Sequence, residues 1–425
     1  MRSFLKDKKT LKACRIYSML KRHARQRRVS FHTPGHKIGK WDITELPFSD
    51  NLASPTGCIA TAQAEIASLL GAEKSFLLTD GSTSGVYSIL HAARTLGVKR
   101  VAAPALSHQS FFKGCELMGL TPVLFSLGSV GGIPLPVEKA DFLDVLKSAD
   151  ALFLTSPDYY GNIPELAAVK EICERENKWL LIDGAHGGHL RHEPLLYAGT
   201  YAHLWVDGVH KSLPALTQGA VVSAKTKETA VALERAVSYF RTTSPSYPIM
   251  ASVEYAVKYP RNLPVEKKAR ELCFHYGRFG GDWTKLIVRV KDGVEAQKTF
   301  EKAGVDAEFQ EGNLFCFYLS PATPLRALHR LEKLLKKLAV KGGENFVERV
   351  PAPLFLTKEE EMRGTEEVEL IRAEGRICAE QCGIFPPCLP VLFAGEKIGR
   401  EKIEKLLRAS STFGLREEKI TVVKK

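Results

Sequence analysis

A lysine at position 211 lies in a setting that suits covalent chemistry better than the role of a solvated surface charge. It follows an apolar segment that contains Asp207, and it stands between His210 and a Ser-Leu-Pro run that precedes a predicted strand starting near Ala220. A lysine amine in such a place forms covalent adducts with carbonyl groups, so Lys211 is a candidate attachment point for a carbonyl cofactor. Because most lysines are surface charges, this interpretation depends on partner groups elsewhere in the chain.

Other chemically suited side chains also lie directly after short apolar runs that predict strands. They are His108, Ser156, Asp183, His186 and the hydroxyl-rich turn 82–84. These runs alternate with helical stretches, which favours a mostly parallel sheet covered by helices on both faces. In such sheets ligands bind beyond the carboxyl ends of the strands, so we expect these groups on one rim together with Lys211.

The turn 82–84 begins a predicted helix. Free backbone N–H groups and hydroxyls at a helix N-terminus bind phosphate, although this turn lacks the lysine and the spacing of a P-loop. Capping of the helix by Ser82 or Thr83 explains the turn equally well. His32 and His36, on either side of a Pro-Gly turn, are either pocket residues or ordinary loop histidines.

The pattern changes after residue 219 and predicts a smaller α+β region. The predicted elements are helices over 227–277, 294–303 and 325–338, strands over 283–290 and 313–319, a helix that follows the charged residues 358–369 and continues to Cys382, an extended proline-rich segment over 384–392, and a helix over 400–407. We therefore predict an N-terminal helix and loop over 1–45, a large domain over 46–275 and a small domain over 276–425.

Composition and charge limit the class of protein. The 425 residues are 44% hydrophobic, and neither an apolar run of about 20 residues nor a secretory signal is present. We therefore expect a cytoplasmic protein without a membrane partner. The net charge is +12, and ten lysines and arginines face only Asp7 between residues 6 and 28. A nucleic-acid arm, a transit peptide or an anionic partner would suit this segment, but the solvated face of an amphipathic helix is the favoured interpretation.

The nine cysteines are scattered and form no CxxC pair. Cys378, Cys382 and Cys388 are the closest group, and no histidine lies among them. A zinc site needs a recognised tetrahedral ligand spacing, so we expect reduced thiols and no metal.

Together, these groups meet the chemical needs of pyridoxal 5'-phosphate. Lys211 would hold the aldehyde of this cofactor, and Asp183 would pair with its pyridine nitrogen so that the ring accepts electrons. The turn 82–84 would bind the phosphate, and His108 would stack on the ring.

Several motifs, in order along the chain, resemble the Orn/Lys/Arg decarboxylase family of fold-type-I pyridoxal-phosphate enzymes. They are FHTPGHKIG at 31–39, DGSTSG at 80–85, SHQS at 107–110, TSPDYYG at 155–161, DGAHG at 183–187, HKSLPALTQ at 210–218 and FPPCLP at 385–390 with Gly395 and Glu396. The resemblance implies an aspartate-aminotransferase-like fold, in which a three-layer αβα large domain with a mostly parallel sheet is joined to a smaller C-terminal α+β domain.

The resemblance also implies roles for individual residues. Lys211 is the expected Schiff-base lysine and Asp183 the partner of the pyridine nitrogen, with His108 stacked on the ring and Ala185 packed beneath it. His186 is expected close to the reacting centre. The expected phosphate contacts are Ser82, Thr83, Ser84 and His210.

The implied reaction is the decarboxylation of arginine, lysine or ornithine to an amine and CO2, within polyamine metabolism. Either Lys211 or a nearby histidine is the expected proton donor to the substrate α-carbon. A basic substrate also calls for a carboxylate near its distal end, which the sequence does not assign. We expect a homodimer, and we expect a short form without the N-terminal wing of the large bacterial members and without the assemblies that this wing builds.

The sequence departs from the family pattern at several positions. Gly184 replaces a usual glutamate, and Gly208 replaces a residue with a hydroxyl that suits the phosphate. Asp80 replaces a common asparagine, Cys388 a usual glycine and Phe385 a usual tyrosine.

These departures leave alternatives open. The first is another pyridoxal-phosphate reaction, such as transamination, on the same fold. The second is a protein that binds the cofactor without turnover, and the third is nucleic-acid binding through the basic residues 1–28.

Overall fold

A seven-stranded β-sheet forms the centre of the computed structural model of the protein. The structure describes residues 7–26, 28–37, 41–130, 133–278, 280–340, 347–349, 362–385, 389–409 and 411–424. Its strands are β1 (Lys74–Leu78), β2 (Arg100–Pro104), β3 (Thr121–Phe125), β4 (Gly128–Val130), β5 (Ile133–Pro134), β6 (Ala151–Thr155), β7 (Trp179–Gly184), β8 (Leu204–Asp207), β9 (Ala220–Ala224), β10 (Gly277–Arg278), β11 (Lys285–Arg289), β12 (Phe309–Glu311), β13 (Leu314–Tyr318), β14 (Val347–Arg349), β15 (Thr365–Glu369), β16 (Cys382–Ile384), β17 (Leu389–Leu392), β18 (Thr412–Phe413) and β19 (Lys419–Val423).

The central sheet has the order β1-β9-β8-β7-β6-β2-β3. Strands β8, β7, β6, β2 and β3 are parallel to one another, and β9 is antiparallel to both of its neighbours. This arrangement confirms the predicted mostly parallel sheet. It also brings the carboxyl ends of β6, β7 and β8 to one edge.

Helices cover both faces of this sheet. They and the helices of the rest of the chain are α1 (Lys8–Ala13), α2 (Arg15–Arg25), α3 (Cys58–Leu70), α4 (Gly81–Thr95), α5 (Gln109–Met118), α6 (Lys139–Lys147), α7 (Leu166–Arg175), α8 (Ala198–Tyr201), α9 (Val209–Ser212), α10 (Lys227–Phe240), α11 (Tyr247–Val257), α12 (Leu263–Tyr276), α13 (Gly293–Lys302), α14 (Leu325–Leu338) and α15 (Arg400–Arg408), with 3₁₀ turns at Gly188–His192 and Leu370–Arg372.

Each strand of the central sheet sends side chains into two separate cores. On β7, Leu181 packs with α4, α5 and α10, whereas Leu180 and Ile182 pack with α3, α6, α7 and α11 on the opposite face. Consecutive side chains of a strand point to opposite faces, so a strand buried on both faces is a continuous apolar run. This is the predicted three-layer αβα arrangement.

The basic N-terminal segment packs by its apolar side against α3 and α11 of the large sheet region. Ile16 and Leu20 of α2 are fully buried. The buried carboxylate of Glu254 accepts hydrogen bonds from the backbone N–H groups of Arg15 (2.6 Å) and Ile16 (2.9 Å), which are otherwise unpaired at the start of this helix. The described part of the segment therefore confirms the predicted amphipathic helix.

A second region follows α12, as the sequence predicted. The sheet β10-β11-β13-β12 packs against α12, α13 and α14 around one hydrophobic cluster, and residues 370–422 form another around α15. A further small sheet has the order β14-β4-β5. The domain boundaries at 45/46 and 275/276 stay predictions. No helix among the described residues has the length and apolar character that a membrane span requires.

The predicted helix that follows the charged residues 358–369 and continues to Cys382 is wrong. Leu370–Arg372 form only a 3₁₀ turn, Ile377 and Cys378 make isolated bridges to Lys397 and Val422, and β16 begins at Cys382. The charged stretch before this region contains a strand. Residues Thr365–Glu369 form β15, which pairs with β19 in antiparallel register from Thr365 opposite Val423 to Glu369 opposite Lys419. The glutamates favour a helix locally, but pairing with a strand about 50 residues away provides a full backbone ladder and places Val368 against the C-terminal cluster. Tertiary pairing therefore overrides the local preference.

Candidate functional site

The predicted functional side chains come together at the edge of the sheet where the parallel strands end. A cavity of about 740 Å³ opens there. Of the residues proposed from the sequence, those that line it are Ser82, Thr83, His108, Asp183, Ala185, His186, His210 and Lys211. Ser84 and Ser156 are not part of the lining. The loop histidines His32 and His36 do not line it either, and Ile38 and Gly39 of the same motif lie outside the described residues.

Lys211 lies on the single-turn helix α9, directly after β8. Its backbone N–H donates to the carbonyl of Gly208 at 2.9 Å, while Val209 and Ser212 on the same turn are buried. The Nζ atom is 3.4 Å from Nε2 of His186. Burial, followed by the charge of Lys211, holds the pKa of His186 well below its ordinary value. The His186 ring is therefore neutral, and its Nε2 atom accepts from the lysine.

Asp183 is buried near the carboxyl end of β7. One carboxylate oxygen accepts from the backbone N–H of Ala185 at 3.0 Å, and the residue also lines the cavity. Burial raises the pKa of Asp183, and the charge of Lys211 opposes the rise. A buried carboxylate with a raised pKa is stabilised by a cationic N–H group, so the site favours such a group opposite Asp183.

His108 caps the N-terminus of α5 and is fixed by this role. Its Nδ1 atom accepts from the backbone N–H of Ser110 at 3.2 Å and lies 2.8 Å from the Ser110 hydroxyl. Burial, followed by the charges of Lys211 and Lys113, lowers the pKa of His108 to about 4. At neutral pH the cavity is therefore lined by a flat, uncharged ring whose orientation is set by α5.

The N-terminus of α4 contributes hydroxyls and backbone N–H groups. Ser82 and Thr83 line the cavity, whereas the hydroxyl of Ser84 donates to the carbonyl of Gly81 at 2.9 Å. His210 reaches the same cavity, and its Nδ1 atom lies 2.9 Å from the carbonyl of Gly219, to which it donates. Burial lowers the pKa of His210. This end of the cavity has the donors that an anion requires.

Comparison with known proteins identifies the family. Residues 40–325 match the family described as "Orn/Lys/Arg decarboxylase, major domain", and residues 343–416 match "Orn/Lys/Arg decarboxylase, C-terminal domain". The chain belongs to the Orn/Lys/Arg decarboxylase family. This finding confirms the resemblance drawn from the motifs, and it makes the chain a pyridoxal-phosphate-dependent amino-acid decarboxylase.

Individual relatives are distant in sequence. The chain is 28% identical to the uncharacterized protein YaaO of Bacillus subtilis over 457 residues, which cover 93% of this chain and 94% of that protein. It is 26% identical to the arginine decarboxylase of the same organism, with 92% and 93% covered. The structure of the constitutive lysine decarboxylase of Escherichia coli superimposes with a TM-score of 0.74 at 16% identity, covering 97% of this chain and 82% of that one. The last similarity confirms the fold.

The residues of this Orn/Lys/Arg decarboxylase site fit the family's cofactor. The donor set has a lysine amine, a buried carboxylate with a raised pKa, a neutral stacking ring and a helix N-terminus rich in donors. The small side chain of Ala185 also lines the cavity. These groups correspond to an aldehyde, a pyridinium nitrogen, an aromatic ring and a phosphate. The individual roles of these residues stay predictions.

The two glycine departures from the family pattern have a steric explanation. A Cβ atom at Gly208 would lie 2.3 Å from the carbonyl oxygen of Ala185, and one at Gly184 would lie 2.7 Å from the carbonyl oxygen of Val206. The ends of β7 and β8 are therefore packed too closely for any side chain at either position. A side chain with a hydroxyl, which the family pattern has at position 208, therefore does not fit this backbone.

The charge of Asp80, a further departure, is balanced locally. Its carboxylate accepts from the backbone N–H of Thr242 at 3.3 Å. Burial lowers the pKa of the neighbouring Arg241 to about 10, and the charge of Asp80 opposes the fall. The aspartate and the arginine thus compensate each other beside the α4 N-terminus. Phe385 lines the cavity, whereas Cys388 lies outside the described residues.

Sequence reasoning gave no role to several residues at this site. Tyr159 packs edge-to-face on the His186 ring at a centroid distance of 5.7 Å, and Tyr318 does so at 5.5 Å. Glu308 also lines the cavity. Tyr159 lies in the TSPDYYG motif, which marked the segment but not the residue. No sequence signal marks Tyr318 or Glu308, because both depend on the fold of the second region.

A fully buried cluster of charged side chains packs against the ring of Tyr318. Lys285 Nζ lies 4.0 Å from the centroid of the Tyr318 ring, 3.1 Å from the Thr284 hydroxyl and 3.6 Å from Asp282. The other Asp282 oxygen is 2.9 Å from Nε2 of His189 in the large sheet region. Burial opposes ionisation of Asp282, but His189 and Lys285 outweigh it and hold the pKa of this carboxyl below its usual range. The cluster ties the two regions together next to the site.

Proposed function

We propose that the protein decarboxylates a basic amino acid, namely arginine, lysine or ornithine, to the corresponding amine and CO2. The observation that carries this proposal is the gathering of Lys211, Asp183, His108 and His186 around one cavity in a chain of this family. The names of its relatives, which include arginine and lysine decarboxylases, support a basic substrate.

Lys211 and His186 form the reactive pair of the proposal. An amine attacks a carbonyl only in its neutral form, and the His186 ring, with Nε2 at 3.4 Å from the lysine Nζ, is placed to orient this amine by a hydrogen bond. After CO2 leaves, a proton must return to the α-carbon of the substrate. Lys211 and His186 are the candidate donors, because both line the cavity and lie 3.4 Å apart.

Asp183 and His108 would hold and orient the cofactor. When bound, pyridoxal phosphate supplies a ring that accepts the electron pair released from the carboxylate bond. The Asp183 carboxylate would keep a proton on the ring nitrogen, since burial leaves this carboxylate in need of a cationic partner. The neutral His108 ring would cover one face of the cofactor, and Ser82, Thr83 and His210 would contact its phosphate.

The charges in the cavity favour decarboxylation of a cationic substrate over transamination. Among the described lining residues, four are carboxylates and Lys211 is the only lysine or arginine. An aminotransferase that accepts a dicarboxylate needs cationic groups to bind it, and these are lacking in the lining. The lining also includes apolar side chains such as Leu127 and Val137, and an apolar environment favours conversion of a charged carboxylate to neutral CO2.

A product screen tests the proposal. Purified protein loaded with pyridoxal phosphate should release CO2 from at least one of arginine, lysine and ornithine, and should form the matching amine. Consumption of a keto acid with no CO2 release would indicate an aminotransferase instead. Cofactor binding with no turnover of any amino acid would indicate a binding protein, and would contradict the proposal.

The cellular setting is part of the same proposal. Since the products of the three reactions are agmatine and the diamines cadaverine and putrescine, we propose a role in polyamine metabolism in the cytoplasm. We also propose a homodimer, because enzymes that resemble this fold generally complete their sites with a second subunit. Light scattering of the cofactor-loaded protein tests this, and a monomer with full activity would contradict it.

A further inference from the structure

The four carboxylates that line the cavity are not equivalent. Asp183 accepts from the Ala185 N–H, and Asp80 accepts from the Thr242 N–H beside Arg241. Asp158 accepts from the backbone N–H groups of Tyr160 and Asn162 at 2.9 Å each, and so fixes its own loop. Asp80 and Asp158 thus stabilise parts of the fold, and Asp183 is the predicted partner of the cofactor.

The fourth carboxylate, Glu308, has no such partner. Glu308 is exposed, and its backbone N–H donates a 2.8 Å hydrogen bond to the carbonyl of Cys316. No hydrogen bond or ion pair of its side chain is present among the residues that the structure describes. The backbone is thus anchored beside β13, and the residue lines the cavity. A charge held there without a partner suits a cationic ligand group.

The surroundings of Glu308 are aromatic. The ring of Tyr159 lies 5.4 Å from that of Phe309, the residue after Glu308, and 5.5 Å from that of Tyr318. Lys285 already occupies a face of Tyr318, whereas no lysine or arginine of the described residues lies over the ring of Tyr159. The hydroxyl oxygen of Tyr159 is buried and lies close to the hydroxyl of Tyr318, which acts on its pKa. Aromatic faces attract ammonium and guanidinium groups, and the hydroxyl accepts from their N–H donors.

His186 connects these groups to the lysine, because it contacts both. Lys211 is next to one edge of the His186 ring, and Tyr159 and Tyr318 pack against that ring. Burial, followed by the charge of Glu308, raises the pKa of Tyr159, and the same charge contributes to the raised pKa of Tyr318. A ligand whose reacting amine is at Lys211 would therefore extend past His186 towards Glu308.

We propose that Glu308 and Tyr159 form the subsite that binds the distal ammonium or guanidinium of the substrate. This inference rests on the proposed function, because it assigns the carboxylate that a basic amino acid requires. Glu308 is a specificity-determining residue in this account, with no part in bond cleavage. It selects substrates by a charge-assisted hydrogen bond that a neutral side chain cannot make.

The test combines turnover with a binding measurement. CO2 release from arginine, lysine and ornithine is measured for the loaded wild type, Glu308→Gln and the control Glu311→Gln. The control removes the same charge from β12 at an exposed residue outside the cavity lining. Calorimetry then gives the affinities of agmatine, cadaverine and putrescine, and of hexylamine, in which a methyl group replaces the distal ammonium of cadaverine.

We expect Glu308→Gln to lower kcat/KM for the preferred amino acid, and the affinity of its amine product, by roughly 10- to 100-fold, mainly through KM. Hexylamine should bind the wild type and Glu308→Gln equally, and Glu311→Gln should behave as wild type. Unchanged amine affinity in Glu308→Gln, equal losses in both variants, or a wild type that binds none of the amines would overturn the subsite. Amine binding that depends on Glu308 without CO2 release would support the subsite and reject the proposed reaction.

Discussion

Restoring a hydroxyl at position 208 should harm the protein, although the family pattern suggests the opposite. A Cβ atom there would lie 2.3 Å from the Ala185 carbonyl oxygen and 3.0 Å from both the carbonyl carbon and the Cα atom of that residue. Ordinary contacts begin near 3.4 Å, so the backbone at Ala185 must move by roughly 1 Å. The backbone angles of Gly208, φ −79° and ψ 73°, lie outside the left-handed region, so the obstacle is steric overlap alone.

The displaced segment is the one that would lie under the cofactor. Ala185 donates its N–H to Asp183, so a shift of this residue also disturbs the carboxylate that would pair with the pyridine nitrogen. Overpacking of this kind costs roughly 1–3 kcal/mol of unfolding free energy. We therefore expect Gly208→Ser to unfold at a lower temperature than wild type and to bind pyridoxal phosphate more weakly.

Thermal unfolding with and without cofactor, together with a fluorescence titration of cofactor, measures both effects. Gly399→Ser is the matched control, since a Cβ atom at Gly399 meets nothing within 4 Å and its φ is −96°. The control should retain the wild-type cofactor affinity and should lose no stability. A Gly208→Ser protein with wild-type stability and equal or tighter cofactor binding would refute the steric argument.

Two further predictions concern buried charges outside the cavity lining. Burial raises the pKa of Asp207 to about 7, although its carboxylate accepts from Tyr197 and Trp205. The folded state therefore binds a proton that the unfolded state has released, and stability falls as pH rises from about 4 to about 7. Between pH 5 and pH 8 the wild type should therefore lose roughly 3 kcal/mol of unfolding free energy that Asp207→Asn does not lose. Denaturant unfolding at both pH values measures this difference. A variant with the same pH dependence as wild type would contradict the prediction. Lys285→Met should lower the unfolding free energy by roughly 3–5 kcal/mol, because it removes the lysine charge beside the buried Asp282 carboxylate, and a urea titration equal to wild type would contradict this.

The large sheet was predictable because its signals are local. The strand Ala151–Thr155 coincides with one of the short apolar runs that predict strands, and the helix Leu325–Leu338 of the second region, an amphipathic run, has the predicted bounds. The grouping of the functional side chains at one edge of the sheet was predictable from the same pattern, because parallel strands end at the same edge. Lys211, Asp183 and His108 could therefore be placed together without any knowledge of their distances.

The rest depends on contacts between segments far apart in sequence. Pairing with β19 turns the glutamate-rich segment Thr365–Glu369 into a strand, and nothing near that segment signals it. Glu308 reaches the cavity only because β12 pairs with β13, so a charged residue beside a short strand could not be distinguished from a surface one. The local hydrogen bond that engages the Ser84 hydroxyl is likewise visible only in three dimensions.

The central claim is that Lys211 attaches the cofactor. The direct measurement is borohydride reduction of the pyridoxal-phosphate-loaded protein, followed by mass mapping of its peptides. The account predicts the reduced cofactor on Lys211 and its absence from the Lys211→Ala variant, which should also be inactive. A cofactor adduct on a different lysine of the wild type, or no reducible adduct at all, would contradict the account.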